Sequence, residues 1–363
     1  MRPALKAGLQ PLWRDTDTVQ LGIDPRRAVA LTGLGKAAAI LTLLDGSRDT
    51  DELVRTASDL GVAPETANHV LRLLASAGVL DDFPAYLHKS LPDYLRSRLA
   101  PELACASLAA GDGDGGARTI ERRRAAFVRV YGAGRVGASV ATLLAASGVA
   151  RVSCHDSEVA GPADLAPAGL GSADIGLARA AGAVRALRRV APEVQVSDDL
   201  RLVPDLAVLT TAIRPAELAV LMRDRVPHLA VDAREAIGVV GPLVYPGRSA
   251  CLRCVDLSKA ERDPAWPKIL AQATLASQRP VPACDAVLAA ATAALATAQA
   301  LAVVDSRGQQ LPVVTNGTLE LVLPDWRWRR HAWPPSPACA CGSAGQAWPA
   351  GQAWPAGGWE SSG

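Results

Sequence analysis

Residues 126–137 have the sequence AFVRVYGAGRVG, and this segment is the strongest indicator of the fold class. Ala126 to Tyr131 is a predicted strand, and Gly137 opens a predicted helix. Between them lies a loop with glycines at positions 132, 134 and 137. Such glycines let backbone N–H groups approach a phosphate at a helix N-terminus. The segment therefore predicts a nucleotide-binding type of fold.

Asp156 follows the next predicted strand, where a carboxylate would accept hydrogen bonds from ribose hydroxyls. The alternative is that the glycines only allow close packing of helix against strand. The loop alone does not separate NAD from ATP, although no acid or base for an NAD-linked reductase is evident beside it. We predict Gly132, Gly134, Gly137 and Asp156 as nucleotide contacts.

Strands and helices alternate beyond the loop, which indicates βαβ units, an α/β fold and a mainly parallel sheet. The predicted segments are Val149 to Cys154, Ile175 to Val190, Asp205 to Thr211, Pro215 to Arg223 and His228 to Asp232.

Two tight cysteine pairs predict a structural zinc site. Cys251 and Cys254 are separated by two residues, Cys339 and Cys341 by one. Four thiolates close a tetrahedral zinc site and leave no position for a reactive water. Four independent buried cysteines are the alternative. The remaining cysteines, Cys105, Cys154 and Cys284, have no such spacing.

The bulk composition excludes several partners. The 363 residues carry a formal net charge of +2, which demands neither nucleic acid nor an anionic membrane. The Ala-rich stretch from Ala286 to Val304 lacks flanking charges and aromatics, so we expect a core helix. The first residues lack the apolar run of a secretory signal, so we expect a cytoplasmic protein.

Composition shifts divide the chain into four parts. Residues 1–83 combine short strands with capped helices in the outline of a winged helix. Residues 84–121 form a helical, Gly-rich linker, residues 122–342 the nucleotide-type domain, and residues 343–363 a duplicated Trp/Pro/Gly tail that we expect to be disordered.

Charge counting argues against DNA binding by the front part. Residues 1–83 contain nine Lys/Arg and eleven Asp/Glu, a net charge of −2. The tryptophans at 326, 328 and 333 are interleaved with arginines and could form a basic aromatic patch. We favour the other interpretation, an exposed strand with one aromatic face.

The order of these motifs resembles the ThiF-type, ubiquitin-activating-like adenylyltransferases. It runs from GAGRVG through Asp156-Ser157-Glu158-Val159 and Asp174-Ile175-Gly176 to Pro246-Gly247 and the first cysteine pair. The resemblance implies a homodimer that binds MgATP and adenylates the C-terminus of a ubiquitin-like or sulfur-carrier protein. It also implies that Cys284, just before the Ala-rich helix, could accept the activated carrier; an inert small hydrophobe is the alternative.

Several residues of that family pattern are replaced. Its Asn-Leu-x-Arg-Gln segment reads here Asp164-Leu165-Ala166-Pro167-Ala168, so the arginine is missing. Its magnesium-binding carboxylates correspond to Leu209-Thr210-Thr211-Ala212, and Arg179 stands in place of a lysine. These replacements favour a degenerate adenylation site.

The front part resembles the precursor-peptide recognition element of modified-peptide biosynthesis. Its fusion to a ThiF-type domain resembles the scaffold subunits of azoline-forming cyclodehydratases. That resemblance implies binding of an extended leader peptide along a strand edge for an ATP-dependent partner enzyme. Two hypotheses stand: a peptide-binding scaffold, or an adenylyltransferase that uses Asp156, Arg179 and Cys284.

Overall fold

The computed structural model describes residues 1–82, 91–275, 283–306 and 310–344. The chain forms two compact units, Met1–Glu121 and Arg122–Gly363. The end of the predicted disordered tail, from residue 345, lies outside the described residues.

The first unit combines five short strands with small helices. Strand β1 (Pro3–Leu5) pairs antiparallel with β5 (Leu80–Asp82), and a separate antiparallel sheet has the order β2 (Pro11–Trp13), β3 (Val19–Leu21), β4 (Val29–Leu31). A 3₁₀ turn at Gly35–Ala39 leads into α1 (Ile40–Leu43), followed by α2 (Thr50–Asp59) and α3 (Pro64–Ser76).

Local chemistry explains the helix boundaries of this unit. Asp49 accepts a hydrogen bond from the backbone N–H of Glu52, whose side chain returns one to Asp49, which is a capping box. Pro64 stands in the first turn of α3, where its missing N–H costs nothing. The apolar faces of both helices are buried, with Leu53 and Leu74 fully inside.

The described part of the segment predicted as a linker forms three helices: α4 (Asp93–Arg98), α5 (Ala100–Ala110) and α6 (Ala117–Ala125). Lys6 connects helix α5 to strand β5. The Lys6 Nζ lies 3.1 Å from Asp81 Oδ1 of β5 and donates to Ser107 O of α5 at 2.6 Å. Lys6, Asp81 and Ser107 are all buried, so their mutual bonds satisfy groups that would otherwise be costly to bury.

The second unit contains a seven-stranded sheet in the order β12-β11-β10-β9-β8-β6-β7. The strands are β6 (Phe127–Tyr131), β7 (Arg151–His155), β8 (Leu206–Leu209), β9 (His228–Arg234), β10 (Ile237–Val244), β11 (Gly317–Val322) and β12 (Arg327–Ala332). Strands β7, β6, β8 and β9 are parallel, as the βαβ alternation predicted. The last three strands join antiparallel.

In the described residues, six α-helices accompany this sheet: α7 (Gly137–Ala146), α8 (Arg179–Val190), α9 (Pro215–Arg223), α10 (Leu252–Arg262), α11 (Trp266–Leu275) and α12 (Ala286–Ser306). The main core includes residues of α7, α8 and α12 on the face of Val128 and Val130, whereas Leu221 of α9 packs with Tyr131 and Leu209 of the opposite face. The α/β fold predicted from the sequence is therefore confirmed.

Helix α12 is long and apolar enough to cross a membrane by length and composition. Half of its most apolar window is buried, and Ala293, Ala296 and Ala300 belong to the main core. This packing is that of a core helix.

The Trp/Arg stretch lies at the sheet edge. Strand β12 is largely exposed, and Trp326 and Trp328 remain about 40% exposed, at 41% and 38%. Trp333 behaves differently because it is buried and its indole N–H donates to Thr318 Oγ1 at 3.0 Å. An exposed edge strand is thus what the structure contains.

Candidate nucleotide-type site and cysteine cluster

The glycine-rich loop between β6 and α7 is closely packed. Gly132 has a φ of +91°, and a Cβ there would lie 2.7 Å from Thr210 Oγ1. A Cβ on Gly137 would lie 2.0 Å from Gly132 O. Thr210 Oγ1 donates towards Tyr131 O and Gly132 O, at 3.0 and 3.1 Å. Both glycines are therefore required by packing alone, whatever the loop binds.

Asp156 lies against this loop. Its Oδ2 accepts a hydrogen bond from Ala133 N at 2.7 Å, and its Oδ1 accepts one from Glu158 N at 2.8 Å. Each carboxylate oxygen has a second lone pair, so Asp156 could still accept from a ribose hydroxyl. Its position at the carboxyl end of a parallel strand is where nucleotides bind in such sheets.

Arg179 is held by two carboxylates. Its Nη1 pairs with Glu158 Oε2, and its Nε lies 2.9 Å from Asp164 Oδ2. Although burial lowers the pKa of Arg179, these carboxylates and that of Asp156 raise it overall. The positive charge that a phosphate would need is thus neutralised within the protein.

The end of β8 provides no carboxylate at Thr210 or Thr211. The acidic residue that follows is Glu217, in the first turn of α9, and sequence reasoning missed it. Glu217 pairs with Arg214 and lies 3.4 Å from His155 Nε2, while the His155 ring packs edge-on against Tyr131 at 5.6 Å. The Arg214 pair is the largest cause of the lowered pKa of Glu217, so this carboxylate stays ionised.

Arg135, between the second and third glycines of the loop, was also missed. Its guanidinium donates to Ala163 O at 3.1 Å and to Cys284 O at 3.0 Å. It therefore fastens the glycine-rich loop to the segment that precedes α12. A signal was available in the sequence: a charged residue stood between the glycines.

Arg135 contacts the backbone of Cys284 and so holds it near the loop, but the residue is only 9% exposed. Burial raises the pKa of Cys284, and the nearby carboxylates of Asp285 and Asp232 raise it further, against an opposing effect of Arg135. A raised pKa lowers the fraction of nucleophilic thiolate at neutral pH.

The four cysteines of the predicted zinc site come together. Sγ distances are 3.8 Å for Cys251–Cys254, 3.6 Å for Cys251–Cys339 and 3.6 Å for Cys254–Cys341, and all four atoms lie within 4.8 Å of one another. A tetrahedron with Zn–S bonds of about 2.3 Å has edges of about 3.8 Å. The cluster could therefore hold a zinc ion, with no ligand position left for catalysis.

Local structure presents these thiols. Cys251 caps α10 and Cys254 lies in its first turn, which orients both side chains to one side. The preceding backbone is fixed by Ala250 N, which donates to Asn316 Oδ1 at 2.7 Å. Ser343 sits next to the cluster, 3.3 Å from Cys341 Sγ.

Comparison with known families matches residues 113–342 to the ThiF family. The chain belongs to the ThiF family. The match covers more than half of the chain and includes both the glycine-rich loop and the four cysteines. The search of curated proteins found no match to the chain.

Solved structures of similar fold match this ThiF-family chain over nearly its whole length, including its front unit. E. coli MccB, solved with ATP, is 17% identical with a TM-score of 0.65 and covers 94% of this chain and 100% of its own. The microcin C7 biosynthetic enzyme MccB in complex with N-formylated MccA matches over the same shares, with 17% identity and a TM-score of 0.65. PaaA is 16% identical with a TM-score of 0.69, covering 91% and 100%. At these identities the likeness shows the fold alone.

Proposed function

We propose that this ThiF-family chain is a scaffold that binds a precursor peptide through its front unit and presents it to an ATP-dependent modifying enzyme. In this proposal its own adenylation site is degenerate. The observation that carries the proposal is the state of Arg179, whose charge is taken up by Glu158 and Asp164.

Adenylation develops negative charge on phosphates, and catalysis depends on cations and metal ligands placed at that charge. Pro167 stands where the family resemblance implies an arginine, and Thr210 is engaged in packing against the loop where the resemblance implies a magnesium-binding carboxylate. Removal of one such group commonly reduces the rate by a factor of about 10² to 10³. The buried thiol of Cys284 supports the same interpretation, because it lacks the stabilised thiolate of an acceptor.

The front unit supports peptide binding by its sheet. Strands β2 and β4 are the edges of the three-stranded sheet, so an extended peptide could add a strand by main-chain hydrogen bonds. At β2, Trp13 is 59% exposed and lines an open depression with Arg14, Asp15 and Thr16. An exposed aromatic at the outer strand of a sheet is a suitable anchor for a peptide side chain. MccB, of similar fold, has been solved with MccA.

Zinc in the cysteine cluster would act as a staple in this scaffold. It would connect the start of α10 to the segment around Cys339, far apart in sequence. A closed four-thiolate site supplies folding energy and no chemistry. We further propose that the protein is cytoplasmic and that it is a homodimer. Size-exclusion chromatography with light scattering tests the oligomeric state.

The test uses full-length protein. Calorimetry with MgATP should give no saturable binding, and pyrophosphate exchange should stay at background. Labelled synthetic peptides that cover the short reading frames next to this gene should include one that binds, and Trp13→Ser should weaken its binding about tenfold. Leu60→Ser is the matched control, because Leu60 is similarly exposed at 51% but ends a helix. Failure of every neighbouring peptide to bind would contradict the proposal.

The second candidate is an ATP-dependent adenylyltransferase acting on the C-terminus of a carrier protein. The observation that favours it is the preserved loop geometry, with Asp156 beside the glycines. In this case Arg179 would exchange its carboxylate partners for phosphate oxygens. Tight MgATP binding together with exchange that depends on a carrier would replace the first proposal by this one.

A further inference from the structure

A cavity of about 260 Å³ lies at the amino ends of β6 and β7, at the opposite end of β6 from the glycine-rich loop. The side chains on this face are Phe127, Arg129 and Tyr131 of β6, paired across the strands with Arg151, Ser153 and His155 of β7. At the amino end, the face is covered by the irregular segment 195–205 and not by a helix. The cavity is lined by Phe127, Arg151, Gln195, Val196, Ser197 and Leu202.

Positive charge is concentrated behind this cavity. Arg129 is only 3% exposed, and its donors go to neutral groups: Asp199 O at 2.9 Å, Leu202 O at 3.0 Å and Ser153 Oγ at 3.3 Å. The nearby carboxylate of Asp199 is held by Arg201, with Nε 2.9 Å from Oδ1. Among the described residues, Arg129 therefore forms no salt bridge. The Asp199 carboxylate acts on Arg129 only through space, so this buried guanidinium still raises the local potential and favours an anion.

A second guanidinium stands at the mouth. Arg151 is exposed and its Nη2 donates to Ala125 O at 2.9 Å, while its Nε and Nη1 form no hydrogen bond to the described residues and can contact a ligand. The two guanidinium carbons lie 5.3 Å (Arg129) and 5.6 Å (Arg151) from the Phe127 ring centroid. The exposed side-chain amide of Gln195 has no hydrogen bond within the described part of the chain, so it can also donate.

The remaining walls are apolar. Phe127, Val196 and Leu202 face the cavity, and the covering segment leaves Leu200 and Val203 exposed at 49% and 61%. The volume is below the range of about 300–1,000 Å³ that drug-sized ligands need. The walls thus suit a small ligand with one anionic end and one apolar end.

We propose that this cavity binds a carboxylate that carries a small apolar group. The carboxylate pairs with Arg151 and accepts from Gln195, and the apolar group lies against Phe127, Val196 and Leu202. Phe127 and Tyr131 are four residues apart, so the cavity is about 13 Å from the glycine-rich loop along β6. The site is independent of the proposed scaffold function, and its ligand is either a free small acid or the C-terminal carboxylate of a peptide.

The experiment is calorimetry on the full-length protein with three probes: 4-methylpentanoate, a tetrapeptide that ends in leucine with a free carboxylate, and the same tetrapeptide amidated. We expect saturable binding of at least one carboxylate and none of the amide. Whichever carboxylate binds more tightly identifies the source. Arg151→Gln should weaken binding at least about tenfold, the loss expected for one charge-assisted hydrogen bond.

Arg223→Gln is the matched control, since it removes an exposed arginine that pairs with Asp224 and does not line the cavity. It should bind like the unmodified protein. Circular dichroism of both variants checks that each is folded, and Gln195→Ala gives a second, milder test at the cavity wall. Absence of binding by both carboxylates, equal binding of the amide or of inorganic phosphate, or an unchanged affinity in Arg151→Gln would each overturn the proposal.

Discussion

The guanidinium of Arg179 lies between the carboxylates of Glu158 and Asp164, with its Nε 2.9 Å from Asp164 Oδ2. Arg179 opens α8, whereas both carboxylates belong to the segment between β7 and α8, with Asp164 at the end of a short 3₁₀ helix. These two ion pairs therefore hold that segment against the helix. It also determines how much positive charge is left for a nucleotide.

Replacement of Arg179 by alanine should destabilise the protein by about 1.5–3 kcal/mol, because two carboxylates lose their charged hydrogen-bond donor. Urea unfolding measures the change. Arg201→Gln, whose ion pair with Asp199 is exposed, should leave the midpoint unchanged. A stability of Arg179→Ala equal to that of the unmodified protein would mean that these ion pairs contribute nothing.

Gly137→Ala should destabilise the protein by at least about 2 kcal/mol, since its Cβ would meet Gly132 O at 2.0 Å and Thr210 Oγ1 at 2.4 Å. Thermal unfolding measures the loss. Gly161→Ala is the control, because the nearest atom to its Cβ would be Asp164 Oδ2 at 3.8 Å. If both variants melt alike, the loop is less tightly packed than described.

Purified protein should contain about one zinc ion per chain by elemental analysis, because the four Sγ atoms have the spacing of a tetrahedral site. Cys254→Ser should lose the metal and expose the segment around Cys339 to proteolysis. Cys105→Ser alters an exposed thiol outside the cluster and should keep the metal. Metal-free protein with an unchanged proteolytic pattern would contradict a structural zinc site.

Cys284 should react slowly with iodoacetamide at neutral pH, because burial raises the pKa of its thiol. The labelling rate should keep increasing as the pH rises past about 8.5, the usual cysteine value, since the thiolate forms only at higher pH. Mass spectrometry of the peptide that contains Cys284 follows the reaction, with Cys284→Ser as the blank. Rapid labelling near pH 7 would instead favour an acceptor cysteine.

The sequence alone determined the features that depend on neighbouring residues. Strand, glycines and helix follow one another within residues 126–137, and the cap of α2 formed by Asp49 and Glu52 spans four residues. The cysteine pairs could be recognised from the sequence because metal ligands close in sequence have characteristic spacings. The family resemblance then joined these local signals into a ThiF-type fold, which the family match confirms.

Only the tertiary structure decided which charges meet. Sequence reasoning identified Arg179 but not its carboxylate partners, and it did not foresee that Glu217 approaches His155. It also did not foresee that Lys6 reaches Ser107 across about a hundred positions. Such contacts depend on how the whole backbone brings distant side chains together. Local hydrogen bonding and hydrophobic periodicity act over a few residues and therefore do not determine these long-range contacts.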